Sequence, residues 1–277
     1  MDEHFFDLRP THNPHRWFLP LTPGLCVGPP GRAFMFGGVG MGAAIAALER
    51  TCGRPVIWAT AQYLSYARPP SVVDLDVRIA AEGKHTTQAR VTAHVGDTEV
   101  LTVNAALGSR PDSQRLQWAQ PPAAPPPETC EESTRWRSDV PDLHSQIEVR
   151  IAHGVHGPDV GAGPSADGRL VMWIRPRGGQ ILDSAMLAIM ADHVPSAIGP
   201  ALGRDAGGNS LDNTIRFMEI VPTPWVLCDV TIVGIDRGVG HGSMRLYTQE
   251  GSLLAIASQS LILRLRDKAE PAAPARP

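Results

Sequence analysis

Asp192 follows eight residues without charge, Ser184 to Ala191. In a helix its neighbours three, four and seven positions back are Ile189, Ala188 and Ala185. A carboxylate on that stripe is buried unless the helix has already ended, and burial costs free energy unless hydrogen bonds compensate. It is therefore either a group held for acid–base chemistry or a carboxylate beyond the helix end, paired with His193 or a nearby Arg. Gln259 lies in LLAIASQSLILRL, where alternation sets it on one strand face with Ala255, Ala257, Leu261 and Leu263. An amide in that company needs partners at both ends, either a reacting group or the backbone. Ser210 stands between the loop GRDAGGN and the strand LDNTIRF, and alone it reads as a turn residue. Asp212 and Thr214 are alternatives; a slip of two keeps the strand face, so Asp212 competes with Ser210. Gly37 and Gly38 open an apolar helix, whose first N–H groups could meet developing negative charge or whose missing side chains could allow close packing.

Other chemistries lack their residues. There is no G-x-S-x-G for a serine nucleophile, no phosphate loop and no dinucleotide fingerprint. His85 and His94 fall at a turn and on a strand with no third ligand, so no metal is expected. His12, Asn13, Pro14 and His15 loosely resemble the N-P-x-H of hydratases, without the required Asp and spacing.

The elements around these residues occur twice. Gly37-Gly38 precedes VGMGAAIAALE, and Gly178-Gly179 precedes QILDSAMLAIMAD. Pro69 leads to Asp76-Val77, and Pro222 to Asp229-Val230. Two hairpins then match at a separation of 155, setting Arg90 beside Arg245, Gly96 beside Gly251 and Asn104 beside Gln259. The Gly-Gly match puts Thr51 opposite Asp192, and the Pro match puts Ile57 opposite Ser210, so the full polar set belongs to the second copy. A repeat this long points to two similar units packed as a pseudo-dimer, with one active site per chain. Residues 1–110 form the first unit with an N-terminal arm, 111–145 a Pro-rich linker, 146–267 the second unit and 268–277 a flexible tail. Each unit reads as a long apolar helix followed by antiparallel strands, an α+β arrangement of two sheets, each wrapped round a central helix.

Composition narrows the setting. At 277 residues with 43% hydrophobic and 19% charged, the chain can bury a large core. A net charge of −3 argues against nucleic acid as the main partner. Cys26, Cys52, Cys130 and Cys228 are scattered and read as reduced thiols in a cytoplasmic protein. The opening MDEHFFDLRP does not read as a signal peptide. The longest apolar run is read near Met41 to Leu48, too short to span a membrane.

In order and spacing, GPPGRAFMFGG, PPAAPPPE, AIMADHVPSAIG, NSLDNTIRF and EGSLLAIASQSLIL resemble the double-hotdog acyl-CoA thioesterases of the thioesterase II type, over nearly the whole chain. The resemblance implies that Asp192, Ser210 and Gln259 surround a water that hydrolyses an acyl-CoA thioester without a cofactor. Relatives usually carry Thr where this chain has Ser210, and many carry Gln where it has Val39. The oxyanion would meet N–H groups at a helix start, with Gly38 the foremost donor and Gly37 beside it. Abundant Ala, Val and Leu suggest an aliphatic acyl tunnel. The non-catalytic alternative is an acyl-CoA binding protein, in which Asp192 would be tied up in a salt bridge. Edge-to-edge pairing of sheets would make a homo-oligomer.

Overall fold

The computed structural model describes residues 4–29, 31–110, 114–133, 141–155 and 163–265. The first half opens with β1 (Arg9–Pro10), β2 (Arg16–Leu21) and a small ribbon of β3 (Cys26–Val27) and β4 (Phe34–Met35). Helix α1 (Gly37–Cys52) follows, then β5 (Val56–Tyr63), β6 (Ser71–Glu82), β7 (Thr86–Val95) and β8 (Thr98–Gly108). The second half begins with the turn α2 (Leu143–Gln146), β9 (Ile147–His153) and β10 (Arg169–Pro176). Helices α3 (Ser184–Ala191) and α4 (Ile198–Leu202) come next, then β11 (Ala206–Ser210) and β12 (Asp212–Phe217). The long strands β13 (Val226–Asp236), β14 (Val239–Thr248) and β15 (Leu253–Leu265) complete it.

Two sheets were expected; the strands form one. Its order is β1-β2-β6-β7-β8-β5-β12-β15-β14-β13-β10-β9, antiparallel throughout, with β11 also on β15. The halves meet at β5 and β12, paired from Asp212 opposite Gln62 to Arg216 opposite Trp58. Without that seam each half would expose a row of unpaired backbone groups.

Both central helices are apolar on nearly every side because each lies between the sheet and the other helix. In α1 everything from Gly38 to Leu48 is buried except Ala46, and Gly53 ends the helix in the left-handed conformation (φ 62°). All of α3 is buried. Its start differs from the Gly-Gly expectation: the Asp183 side chain accepts from Met186 N at 2.8 Å and caps the helix, while Gly178 and Gly179 lie in the preceding turn. The helices approach closely because α1 is glycine-rich. A Cβ at Gly38 would lie 2.8 Å from Ile189 Cα, and one at Gly42 2.8 Å from Ala185 O. The 19 residues Ser184–Leu202 are apolar enough to span a membrane, which corrects the sequence reading. That stretch is 78% buried here, and a 3-10 turn at Val194–Ala197 breaks it.

The hairpin match also needs correction. Asn104 is exposed, whereas Gln259 is 2% exposed. Across the seam Asn104 pairs with Thr60, Thr60 with Thr214 and Thr214 with Ser258, so the match is off by one residue, which exchanges faces. Residues 114–133 run extended across the outer face of the second half. There Trp173 Nε1 donates to Pro125 O at 2.9 Å and Tyr247 Oη to Gln120 O at 3.0 Å. The tail at 268–277 lies outside the described residues.

Candidate active site

Four elements converge where the seam meets the helix ends: the start of α1, the end of α3, the β5–β12 seam and β15. Asp192 caps the C-terminus of α3 and is 4% exposed. Its Oδ2 accepts from the N–H of Gly38 at 2.7 Å, and its Oδ1 accepts from Gln259 Nε2. Gln259 Nε2 also donates to Ser210 Oγ at 2.7 Å, so one amide nitrogen ties the carboxylate to the hydroxyl. These donors are neutral, and among the described residues no Arg, Lys or His forms an ion pair with Asp192. His193 turns its Nδ1 to the carbonyls of Ile189 and Met190, both at 3.2 Å. Burial pushes the Asp192 carboxyl up to about 7; the hydrogen bonds from Gln259 and Gly38, with the polar side chains of Asn213 and Ser210 close by, restrain the rise.

A change of register settles which residue of NSLDNTIRF faces inward. Ser210 pairs with Leu261 on β15, but Thr214 pairs with Ser258, so the register moves by one residue between them. Ser210 and Asn213 therefore share the inner side. Asp212 faces away and accepts from Ser260 N at 2.7 Å, which removes it as the competitor of Ser210. Thr214 meets the Thr60 hydroxyl across the seam. Asn213 is fully buried beside Asp192 and Tyr63, yet neither atom of its amide has a partner at hydrogen-bond geometry.

A cavity of about 410 Å³ opens onto this cluster. Asp192, Ser210, Gly37 and Tyr63 reach it, while Gln259 stands behind them. Its wall mixes aromatic with aliphatic side chains: Phe34 and Tyr66 have ring centres 4.7 Å apart, Phe36 lies against His193, and Val27, Leu64, Leu211 and Ile262 supply apolar surface. The half-buried His144 and the buried His193 line it too; desolvation holds both pKa values down at about 4. A second cavity of about 490 Å³ contains Glu148, but that carboxylate is engaged by Arg150 and Arg175, each at 2.7 Å. With its carboxylate already engaged by arginines, this space is the poorer reaction site.

Gly38 serves the cluster differently from the sequence expectation. Its N–H holds the carboxylate and is not directed at an incoming carbonyl. Gly37, one residue earlier, lines the cavity. In the first half a carboxylate, Glu49, also ties the two central helices together. It sits near the C-terminus of α1 and accepts from Ser184 Oγ, at the start of α3, at 2.6 Å and from Val56 N at 2.8 Å. Thr51 instead accepts from Trp17 Nε1 at 2.9 Å. Ile57 is 39% exposed and matches no site residue.

Tyr63, Asn213 and Glu49 were missed. Asn213 could have been found from burial, since Ile215 and Phe217 share its alternation. Tyr63 gave no local signal, because it meets Asp192 only across the seam.

Comparison with known proteins gives a consistent picture. Residues 28–108 match the model of the acyl-CoA thioesterase N-terminal domain, and residues 119–263 that of the acyl-CoA thioesterase C-terminal domain. The crystal structure of a candidate thioesterase from Novosphingobium aromaticivorans is 36% identical, with a TM-score of 0.83 over 94% of this chain and 98% of that one. The acyl-CoA thioesterase II TesB2 of Mycobacterium marinum is 20% identical, with a TM-score of 0.70 over 94% and 97%. A hotdog-fold protein from Alicyclobacillus acidocaldarius is 18% identical, with a TM-score of 0.79 over 94% and 97%. The last two likenesses bear on the fold alone. Among curated proteins there is no match.

Proposed function

The chain belongs to the acyl-CoA thioesterase family and is a thioester hydrolase of acyl-CoA, and we propose that Asp192 is its general base, with Ser210 and Gln259 completing the site. The observation that carries this reading is a buried carboxylate held only by neutral donors and open to a cavity. A carboxyl poised near 7 takes up and returns a proton at neutral pH with little cost either way.

A water between Asp192 and Ser210 gives its proton to Asp192 as its oxygen attacks the thioester carbon. The carbonyl π pair moves to oxygen; on collapse it reforms the carbonyl and the carbon–sulfur bond breaks. The thiolate takes the proton from Asp192, leaving free acid, coenzyme A thiol and the carboxylate as it began. Gln259 acts from behind: its N–H groups fix the Asp192 carboxylate and the Ser210 oxygen, leaving the Ser210 proton to orient toward the carboxylate or the water. Its carbonyl oxygen must point away from Asp192, because two acceptors would repel.

The binding-protein alternative called for a salt bridge at Asp192, and the neutral donors favour catalysis over it. We read the chain further as two hotdog units, 1–110 and 146–267, whose sheets are fused at the seam, with one reacting carboxylate between them. Thiol release from acyl-CoAs of increasing chain length, wild type beside Asp192→Asn, tests the mechanism. Turnover that collapses in the variant supports it, and turnover that survives rejects Asp192 as base.

A further inference from the structure

We infer that the Tyr63 hydroxyl is a catalytic donor that hydrogen-bonds the thioester carbonyl oxygen and the oxyanion formed from it, beside the N–H of Gly37. The inference rests on the hydrolytic reading of Asp192 above.

The N–H of Gly38 is taken by Asp192, so the oxyanion needs other donors. Two face the same cavity. Gly37 is the first residue of α1, and its N–H has no partner within the helix. The Tyr63 hydroxyl is buried without a hydrogen-bond partner. Asn213 stands beside it but makes no bond to it at hydrogen-bond geometry, so the hydroxyl still lacks an acceptor, and a thioester carbonyl is one.

Placement supports the assignment. A Cβ on Gly37 would lie 2.7 Å from Asp192 Oδ2 and 3.0 Å from Tyr63 Cζ. Asp192 Oδ2 and the Tyr63 ring thus close on Gly37 from two sides, too tightly for any side chain there. A carbonyl carbon in the adjoining cavity has the base's water on one side and the phenol on the other. Tyr63 is fixed as the last residue of β5, its N–H donating to Leu211 O across the seam at 3.0 Å. Burial and the neighbouring Asp192 keep the phenol well above its ordinary pKa, so it remains a donor through the reaction.

Tyr63→Phe removes a single oxygen. We expect kcat to fall about 10- to 100-fold with KM changed less than about twofold and the kinetic pKa of Asp192 in place. Carbonyl-13C acyl-CoA bound to Asp192→Asn should show a downfield carbonyl resonance that the added Tyr63→Phe change abolishes. Full activity in a folded Tyr63→Phe protein overturns the inference. So does a loss of rate with a displaced pKa and an unchanged carbonyl resonance, which would make Tyr63 a positioning residue. Should Tyr63→Phe fail to fold, 3-fluorotyrosine at this position keeps the hydroxyl and strengthens it as a donor. The resonance should then move further downfield, and no movement overturns the inference. Wild type that hydrolyses no acyl-CoA, or an Asp192→Asn protein of full activity, defeats the hydrolytic reading underneath. Asp192-dependent turnover with Tyr63→Phe unimpaired defeats only the role of Tyr63.

Discussion

The N–H of Gly38 donates to Oδ2 of Asp192 at 2.7 Å, joining residues 154 positions apart where α1 begins and α3 ends. The bond exists because the two helices touch backbone to backbone along Gly38 and Gly42. The same contact therefore supports stability and holds the base.

Gly42→Ala tests that coupling away from the reacting atoms. Its Cβ would stand 2.8 Å from Ala185 O, a backbone atom that cannot swing aside. We expect a loss of about 1–3 kcal/mol in denaturant unfolding, and a lower kcat as α1 withdraws from Asp192. Unchanged stability would show that the helices have room to spare.

Asp192 must be ionised to accept a proton. With its carboxyl near 7, kcat/KM should rise with pH and reach half its plateau near pH 7. Asp192→Asn should lower kcat by about 100- to 10,000-fold and erase that limb. A wild-type profile flat from pH 5 to about 9 would contradict the assignment.

The same shift has a consequence for folding. The Asp192 carboxyl titrates at 3.8 in its ordinary state and near 7 when folded. A raised folded pKa contributes stability that is complete below 3.8 and lost as pH rises to about 7. Above that, ionisation inside the fold costs on the order of 4 kcal/mol. Wild type should lose stability across this window while Asp192→Asn does not, so the inactive variant gains relative stability at pH 8. Parallel stability–pH curves for the two proteins would refute it.

Gln259→Glu places a second carboxylate against Asp192. Two such groups share a proton and their pair titrates higher. We expect the kcat/KM limb to move to higher pH and turnover at pH 7 to fall. An unmoved limb would mean that the two side chains do not meet.

Glu49→Ala separates structure from chemistry. It strands Val56 N and Ser184 Oγ, costing about 1–3 kcal/mol of stability. kcat should be unchanged, since Glu49 lies at the opposite end of α1 from the cavity. A large loss of kcat in the folded variant would point to a second reacting carboxylate.

The sequence alone located α1, because an apolar run from Gly37 to a terminating Gly53 leaves little else for it to be. It singled out Asp192 and Gln259 too, since a charge or amide among apolar neighbours is visible from spacing. Parity was beyond it. Spacing set Asn104 beside Gln259, but across the seam its counterpart is Ser258, one residue away on the other face, and the register change after Ser210 turns Asp212 out and Asn213 in. Only the tertiary structure decided which groups meet across the halves: Gly38 with Asp192, Ser184 with Glu49, and Tyr63 beside the carboxylate. Spacing along one segment fixes which face a residue occupies only while the register is unbroken. What that face touches depends on how closely two helices can approach and which strand edges pair, and those are settled by packing between segments remote in the chain.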